Sequence, residues 1–448
     1  MSAEAAAGAG ARRTPAGAAW WTVLVLILLY CMSFIDRLVL SLLAPLMSDV
    51  LQASDTEIGV LLGAGFGIVY GLIGLPLAHM VDKHNRVRLV VGGVLLWSAG
   101  TIASAFASSY MEMLLLRTAV AIGEAVLSPA AVSLIADMFP REKRAAPTTA
   151  YTSVATYMGA GAFVVGGFAL DLGQRFTGAA GLEPWRLALI FVGAPGVVLA
   201  FLMLLTVREP ARGDEPHIES FQSVAQAFGY VRREARLYGC LFIGAAMNAT
   251  ISFAASAWAP TVLVRAHGLA PAEAGYFYGV VGMAASILGV IAWPVVSKLW
   301  TAQGRKDALP LVIALPVTVN WLAVAFMNLT PVSAHFLIAA GVSGFFGVTT
   351  AVLVPLLVQN VTPSRMRARI MALYLMANNL IGFAVGPALA AFIGESFFTG
   401  AGAIGQGVAT VAFVAGPIAT LAYLVMRKPY ARALDEAQAR EAQGAGAA

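Results

Sequence analysis

About twelve long runs of mainly apolar residues follow one another along this chain, each broken off by a few polar residues. A stretch of about 20 such residues is long enough to cross the hydrocarbon core of a bilayer as a helix. The runs fall near 20–46, 56–80, 88–108, 111–138, 145–172, 185–206, 237–264, 272–297, 308–327, 333–360, 366–394 and 403–427. Lipid offers backbone amides no partner, so a spanning segment is a helix or a strand of a closed barrel. Barrel strands read as short alternating segments, and these runs do not. Composition agrees: 59% of the 448 residues are hydrophobic and 11% charged, against roughly 25% charged in soluble domains. The expectation is an all-α integral membrane protein.

The net charge of +5 does not indicate nucleic acid, because the basic residues sit in short loops between apolar runs and not on one soluble face. They are sided. Roughly 23 Lys and Arg fall on one side of the expected membrane and about 3, Arg175, Arg186 and Arg265, on the other. By the positive-inside rule both termini are cytoplasmic, which requires an even number of spans. The expected location is the cell inner membrane or plasma membrane. Cys31 and Cys240 lie within apolar runs and suggest neither disulfide nor metal site. No cleavable signal pattern opens the chain.

The expected organisation is a disordered cytoplasmic tail over 1–19, a six-helix bundle over 20–206, a linker over 207–236, a second bundle over 237–427 and a cytoplasmic tail over 428–448. In the linker, Ile218, Phe221, Val224, Ala225 and Phe228 recur at helical steps ahead of Arg232, Arg233 and Arg236, as in a helix lying on a membrane surface. The bundles echo each other. Pro140, Arg144, Tyr151 and Gly159 recur as Pro363, Arg367, Tyr374 and Gly382, each pair offset by 223 positions, as from 140 to 363. Spans two and eight also open alike, with ASDTEIG and APAEAG; Ser54 and Glu57 form a capping-box pattern. Two pseudo-symmetric halves are the design of secondary transporters.

Charges inside spans cost about 2.5–3.5 kcal/mol each on insertion scales, so they mark function by default. Here they are Asp36 and Arg37 in the first span and Arg117 and Glu124 in the fourth. Arg117 and Glu124 are two turns apart on one face, with Ser128 beyond. A purely structural Arg117–Glu124 ion pair is the plainer alternative. Asp36 and Arg37, being adjacent, do not face each other on a helix. Both carboxylates are placed to compete for one arginine. In the second half the corresponding positions are uncharged, and the candidate cavity groups are Asn248, Ser252, Trp258, Tyr276, Tyr278, Tyr374, Asn378 and Asn379, for which plain packing is an equal reading. The five histidines, His79, His84, His217, His267 and His335, lie at or near loops, so none is placed as a central proton carrier. The loop VDKHNRVR sets Asp82 beside Arg86; with Arg141 and Arg144 these form a candidate cytoplasmic gate.

These loops and charges resemble the major facilitator superfamily over about residues 20–427. The loop from Asp82 to Arg88 resembles its signature loop between helices two and three, departing from the usual glycines at Ala78 and Asn85. Within the superfamily the chain looks most like the Spinster lipid transporters, through Asp36-Arg37, DTEIGVLLGAGFGIVYG, Trp97-Ser98 and RTAVAIGEAVLSPAAVSLIADMFPREKR. Eukaryotic members move sphingosine phosphate or lysophospholipids, and the resemblance implies a bacterial relative. The organic-anion symporters share the Asp-Arg pair, the helix-four arginine and the Gly-Glu element.

The expected activity is alternating access, with Arg37 and Arg117 holding an anionic head group and Asp36 and Glu124 binding the coupling protons. The expected substrate is an amphipathic, anionic, lipid-like small molecule. Membrane lipids are the other expected partners, and nucleic acid is not one. No cofactor beyond protons is implied, and a monomer is expected. An organic-anion or metabolite symporter is the alternative. An integral-membrane enzyme would need a nucleophile or metal cluster, and a receptor a signalling domain; neither is legible.

Overall fold

The computed structural model describes residues 15–212 and 221–445, and all regular elements among them are helical. Arg12, Arg13, His217, Ile218 and most of the expected N-terminal tail lie outside the described residues. Among the described residues twelve helices are long and apolar enough to cross a membrane: Ala16–Leu51, Asp55–Gly74, Arg86–Ser104, Tyr110–Met138, Ala145–Gly178, Pro184–Thr206, Ala235–Arg265, Pro271–Thr301, Ala308–Leu329, Ser333–Val361, Met366–Phe397 and Ala403–Arg440. They are called spans one to twelve below. Span one starts at Ala16, inside the segment expected as tail. Most of the expected C-terminal tail forms a helix, Arg427–Ala445, that follows span twelve after a turn at Met426.

Local chemistry explains the starts. Ser54 Oγ accepts from the Glu57 amide at 3.2 Å while Glu57 Oε2 accepts from the Ser54 amide at 2.9 Å, closing the capping box of span two. Span eight starts with Pro271 in its first turn, and Glu273 accepts from the Ala270 amide at 3.3 Å. Several spans are interrupted. Span four divides into Tyr110–Glu124 and Leu127–Met138, and span ten into Ser333–Gly347 and Thr349–Val361. The caps that end the first pieces, Ala125 and Val348, stand at the same 223 offset as the sequence repeat. The halves therefore repeat in backbone shape as well as in sequence.

Where the halves meet is legible in the glycines of span two. A Cβ on Gly59 would stand 2.9 Å from the Ala388 Cα, on Gly63 2.7 Å from the Phe383 carbonyl oxygen, and on Gly67 2.9 Å from the Phe383 ring. On Gly71 and Gly74 it would meet nothing within 4 Å. Span two thus lies against span eleven at the face away from the termini and parts from it toward the terminus-bearing face. The cores agree. One apolar cluster, holding Leu43, Leu170, Leu263 and Ala391, crosses both halves at the far face. Nearer the termini the cores separate: one gathers around Leu26, Trp97 and Leu134, the other around Tyr238, Leu357 and Tyr423. Polar bonds seal the far face. Arg265 Nη1 donates to both Asp55 oxygens at 2.8 Å, Thr56 Oγ1 donates to Glu395 at 2.6 Å, and the Tyr276 hydroxyl donates to Asp171 at 2.7 Å. Each joins one half to the other.

Candidate substrate and coupling site

Span one presents Ser33 and Arg37 one turn apart on a face toward span four, with Asp36 turned toward spans three and four. Arg37 Nη2 donates to Glu124 Oε2 at 2.7 Å, and Ser33 Oγ donates to the same oxygen at 2.7 Å. Arg117 Nη1 donates to Asp36 Oδ2 at 3.0 Å, and Thr101 of span three donates to the other Asp36 oxygen. The result is two crossed ion pairs, Asp36–Arg117 and Arg37–Glu124. The expectation that both carboxylates compete for one arginine is corrected by this geometry, and so is the simpler Arg117–Glu124 pair: each carboxylate holds its own arginine, from the other helix.

Three of the four charges are almost sealed from solvent. The side chain of Glu124 is 0% exposed, that of Arg117 2% and that of Asp36 3%, whereas Arg37 keeps 20%. Arg37 also sits in an aromatic collar: its guanidinium carbon lies 4.5 Å from the Phe66 ring centre, 5.3 Å from Tyr70, 5.7 Å from Phe34 and 5.9 Å from Phe383. Phe383 comes from the second half, where a π-helical turn, Asn378–Phe383, interrupts span eleven; such turns recur at functional sites. Glu124 Oε1, Arg37 Nε and Arg117 Nε are buried without a hydrogen-bond partner among the described residues. The cluster thus retains unused capacity to accept a proton or donate to an anion. No group of His, Cys, Asp and Glu among the described residues could hold a metal ion.

The second half carries a neutral counterpart on the equivalent helices seven, nine and ten. Asn248 donates to Thr350 Oγ1 at 3.2 Å, Asn320 donates to Asn248 Oδ1 at 3.1 Å, and Ser343 donates to Asn320 Oδ1 at 2.8 Å. Asn248 therefore spends its amide within its own half. Trp258 is fully buried and donates to the Pro387 carbonyl at 2.8 Å, which makes it a tie between spans seven and eleven. Tyr374 lies in the core of its half. The structure does not bring these three to the arginines, because each is consumed by packing. Asn378, half-buried, opens the π-turn that carries Phe383. Ser128 is half-buried near Tyr30 and Tyr151, whose rings stack at 4.7 Å.

At the terminus-bearing face the gate residues are arranged otherwise than expected. Arg86 is 1% exposed and internal to the first half. It pairs with Asp137 at the end of span four and with Glu209 beyond span six at 2.7 Å, and donates to Ser133 Oγ at 2.9 Å. Asp82 is exposed and makes no ion pair among the described residues. Arg144 donates to the Phe139 carbonyl at 2.9 Å, and Arg141 opens a short 3-10 turn. The halves are parted here, and among the described residues no ion-pair partner stands opposite Asp82. The sequence alone does not pick out Ser33, Thr101, Phe66, Phe383 or Asn320; of these only Ser33 carries a signal, lying one turn before Arg37.

Two six-helix halves in repeat, closed on each other at one face, with paired charges buried inside the spans of the first half, are the architecture of a membrane transporter. The family model described as Major Facilitator Superfamily matches residues 26–380, and the chain belongs to that superfamily. It is thus a multi-pass membrane transporter and not an enzyme. Its relatives include an MFS-type efflux pump of Mycolicibacterium smegmatis, 28% identical with 89% of each chain covered, and protein spinster homolog 1 of Xenopus laevis, 26% identical with 84% of this chain and 74% of that one covered. Sphingosine-1-phosphate transporter SPNS2 of Xenopus tropicalis is 26% identical over 72% of this chain and 64% of its own. Among solved structures, a bacterial homolog of the human lysosomal transporter Spinster, inward-facing and unoccupied, superposes with TM-score 0.79 at 24% identity, covering 95% of this chain and 99% of that one. The inward-facing and occupied form superposes with TM-score 0.73 at 26% identity, covering 94% and 95%.

Proposed function

We propose that the chain is a proton-coupled transporter of an amphipathic anion, with Arg37 as the docking point for the anionic group. The observation that carries this reading is the crossed pairing around the one partly exposed charge. Among the described residues Glu124 is the one carboxylate that holds Arg37, and Arg37 faces the seam between the halves. A proton on Glu124 removes the charge that holds Arg37, which is then free to take a substrate anion. Asp36 and Arg117 form a second, deeper pair that answers a proton in the same way. The aromatic collar suits an apolar body attached to the anion. Relatives named as Spinster proteins and a sphingosine-1-phosphate transporter support a lipid-like substrate, and the efflux pump supports outward movement. The basic, terminus-bearing face is assigned to the cytoplasm, so the conformation described above is inward-open. In a bacterial cell the membrane would be the inner one.

Purified protein in liposomes tests this, with sphingosine phosphate, a lysophospholipid and a small organic anion offered with and without a pH gradient. Glu124→Gln is expected to bind substrate yet lose the response to the gradient, and Arg37→Gln to lose binding. Full gradient-driven uptake by Glu124→Gln would refute the coupling role. Preference for the small organic anion would refute the lipid-like substrate.

A further inference from the structure

The segment between the halves ends in a helix, Phe221–Arg233, which turns at Glu234 into span seven. Where the two helices meet, a surface groove of about 400 Å³ is lined by Phe228, Gly229, Val231, Arg232, Ala235 and Gly239. Its walls are chiefly apolar. The two glycines keep it open, since a Cβ on either would meet nothing within 4 Å. Phe228 is 54% exposed at its edge. Arg232, Arg233 and Arg236 are exposed and make no ion pair among the described residues; Glu234 is the exposed carboxylate between them.

An apolar groove under a cluster of cations, at the point where a surface helix becomes a span, matches one kind of molecule in both its parts. The phosphate of a membrane lipid lies at that depth, and its acyl chain runs inward from it. We propose that this groove binds an anionic phospholipid, its phosphate against Arg232 with Arg233 and Arg236 near, and its chain against Phe228, Val231 and Ala235. Free phosphate would satisfy the arginines and leave the apolar wall uncovered. A zwitterionic lipid would fill the wall and gain less from three cations against one carboxylate. The site lies in the linker and first turn of span seven, apart from the Arg37–Glu124 cluster.

The test is lipid retention by the full-length protein in detergent, measured by native mass spectrometry with phosphatidylglycerol or phosphatidylcholine added. One phosphatidylglycerol is expected to be retained in preference to phosphatidylcholine. The double change Arg232→Gln with Arg236→Gln is expected to weaken retention at least roughly tenfold, since each basic residue near an anionic surface contributes about 1 kcal/mol. Gly239→Leu fills the groove without altering charge and is expected to weaken it as well; Gly229→Leu checks the result should the first variant fold poorly. Arg440→Gln, on the C-terminal helix, is expected to retain the lipid as the parent does. Equal retention of the two lipids, no loss in the double variant, equal loss in Arg440→Gln, or displacement by excess inorganic phosphate would each overturn the proposal.

Discussion

Asp36 and Arg37 are neighbours in sequence but part company in space, because successive side chains on a helix point about 100° apart. Each therefore finds its partner on span four, where Arg117 and Glu124 are separated by about 10.5 Å of helical rise. The length of the two arginine side chains makes up the difference. Breaking a buried pair by removing one member costs about 3–5 kcal/mol, since the survivor stays charged in a dry site. Arg117→Ala is accordingly expected to destabilise the protein by that order, and Asp36→Asn together with Arg117→Gln by clearly less than the sum of the single changes. Thermal unfolding in detergent, at matched lipid, reads both. Additive losses would mean that the two residues do not depend on each other. The four charges themselves were legible in the sequence, because the cost of burying a charge in lipid leaves few accidental ones. Their pairing was not, since it follows from the register of spans one and four, which no local pattern encodes. The same holds for Phe383, an ordinary apolar residue until the π-turn points it at Arg37.

At the level of elements, length and hydropathy located every span, because the bilayer imposes one thickness on all of them. The interruptions were harder to foresee. Pro129 has no amide hydrogen to give the Ala125 carbonyl, which explains the first break; Val348 has no such proline and shares only the place in the repeat. The C-terminal segment, expected as a cytoplasmic tail, is polar, and its sequence alone assigns it no conformation. It is held as a helix by pairing beyond its own sequence: Asp307, in the loop before span nine, accepts from Arg427 at 2.8 Å and 2.5 Å. The hydrogen bond from Arg427 holds the Asp307 carboxyl below its ordinary range, with Arg305 adding to the effect. A carboxylate whose pKa is depressed on folding stabilises the fold above its unfolded pKa of about 3.9 and loses that contribution as pH falls through the folded value. Docking of helix Arg427–Ala445 is therefore expected to be insensitive to pH near neutrality and to loosen below about pH 4. Asp307→Asn is expected to be looser at neutral pH and to change less on acidification than the parent, with the Lys306–Asp435 pair left to respond. Limited proteolysis of the C-terminal helix across pH, with an acid-active protease at the low end, measures this; an identical pH profile in both proteins would rule it out.

Across the whole molecule, the repeat announced two halves, but nothing in the sequence said which end of them would be shut. Asp55 reads as a helix-start acid and Arg265 as a loop charge, each ordinary alone. Together they form the bidentate pair that ties span two to span seven, beside Thr56–Glu395 and Tyr276–Asp171. All three contacts lie at the face away from the termini, so each exists only while that face is closed. A bond made in one state and absent in the other sets their ratio directly. Asp55 and Arg265 are partly exposed, 23% and 30% for their side chains, which places the pair near the top of the 0–1 kcal/mol range of surface ion pairs. Losing about 1 kcal/mol changes a two-state ratio roughly fivefold. Arg265→Gln is thus expected to raise the population open at this face by about that factor, and the exchange Asp55→Arg with Arg265→Asp to restore much of the closed state. Spin labels at Ser108 in the first half and Ser333 in the second, with Cys31 and Cys240 replaced, report the separation across this face. The single variant should move weight to longer distances and the exchanged pair should move it back. If the distribution in Arg265→Gln equals that of the parent, the closed face rests on the apolar contact of spans two and eleven, where Gly59 and Gly63 let the backbones meet, and the ion pair merely follows it.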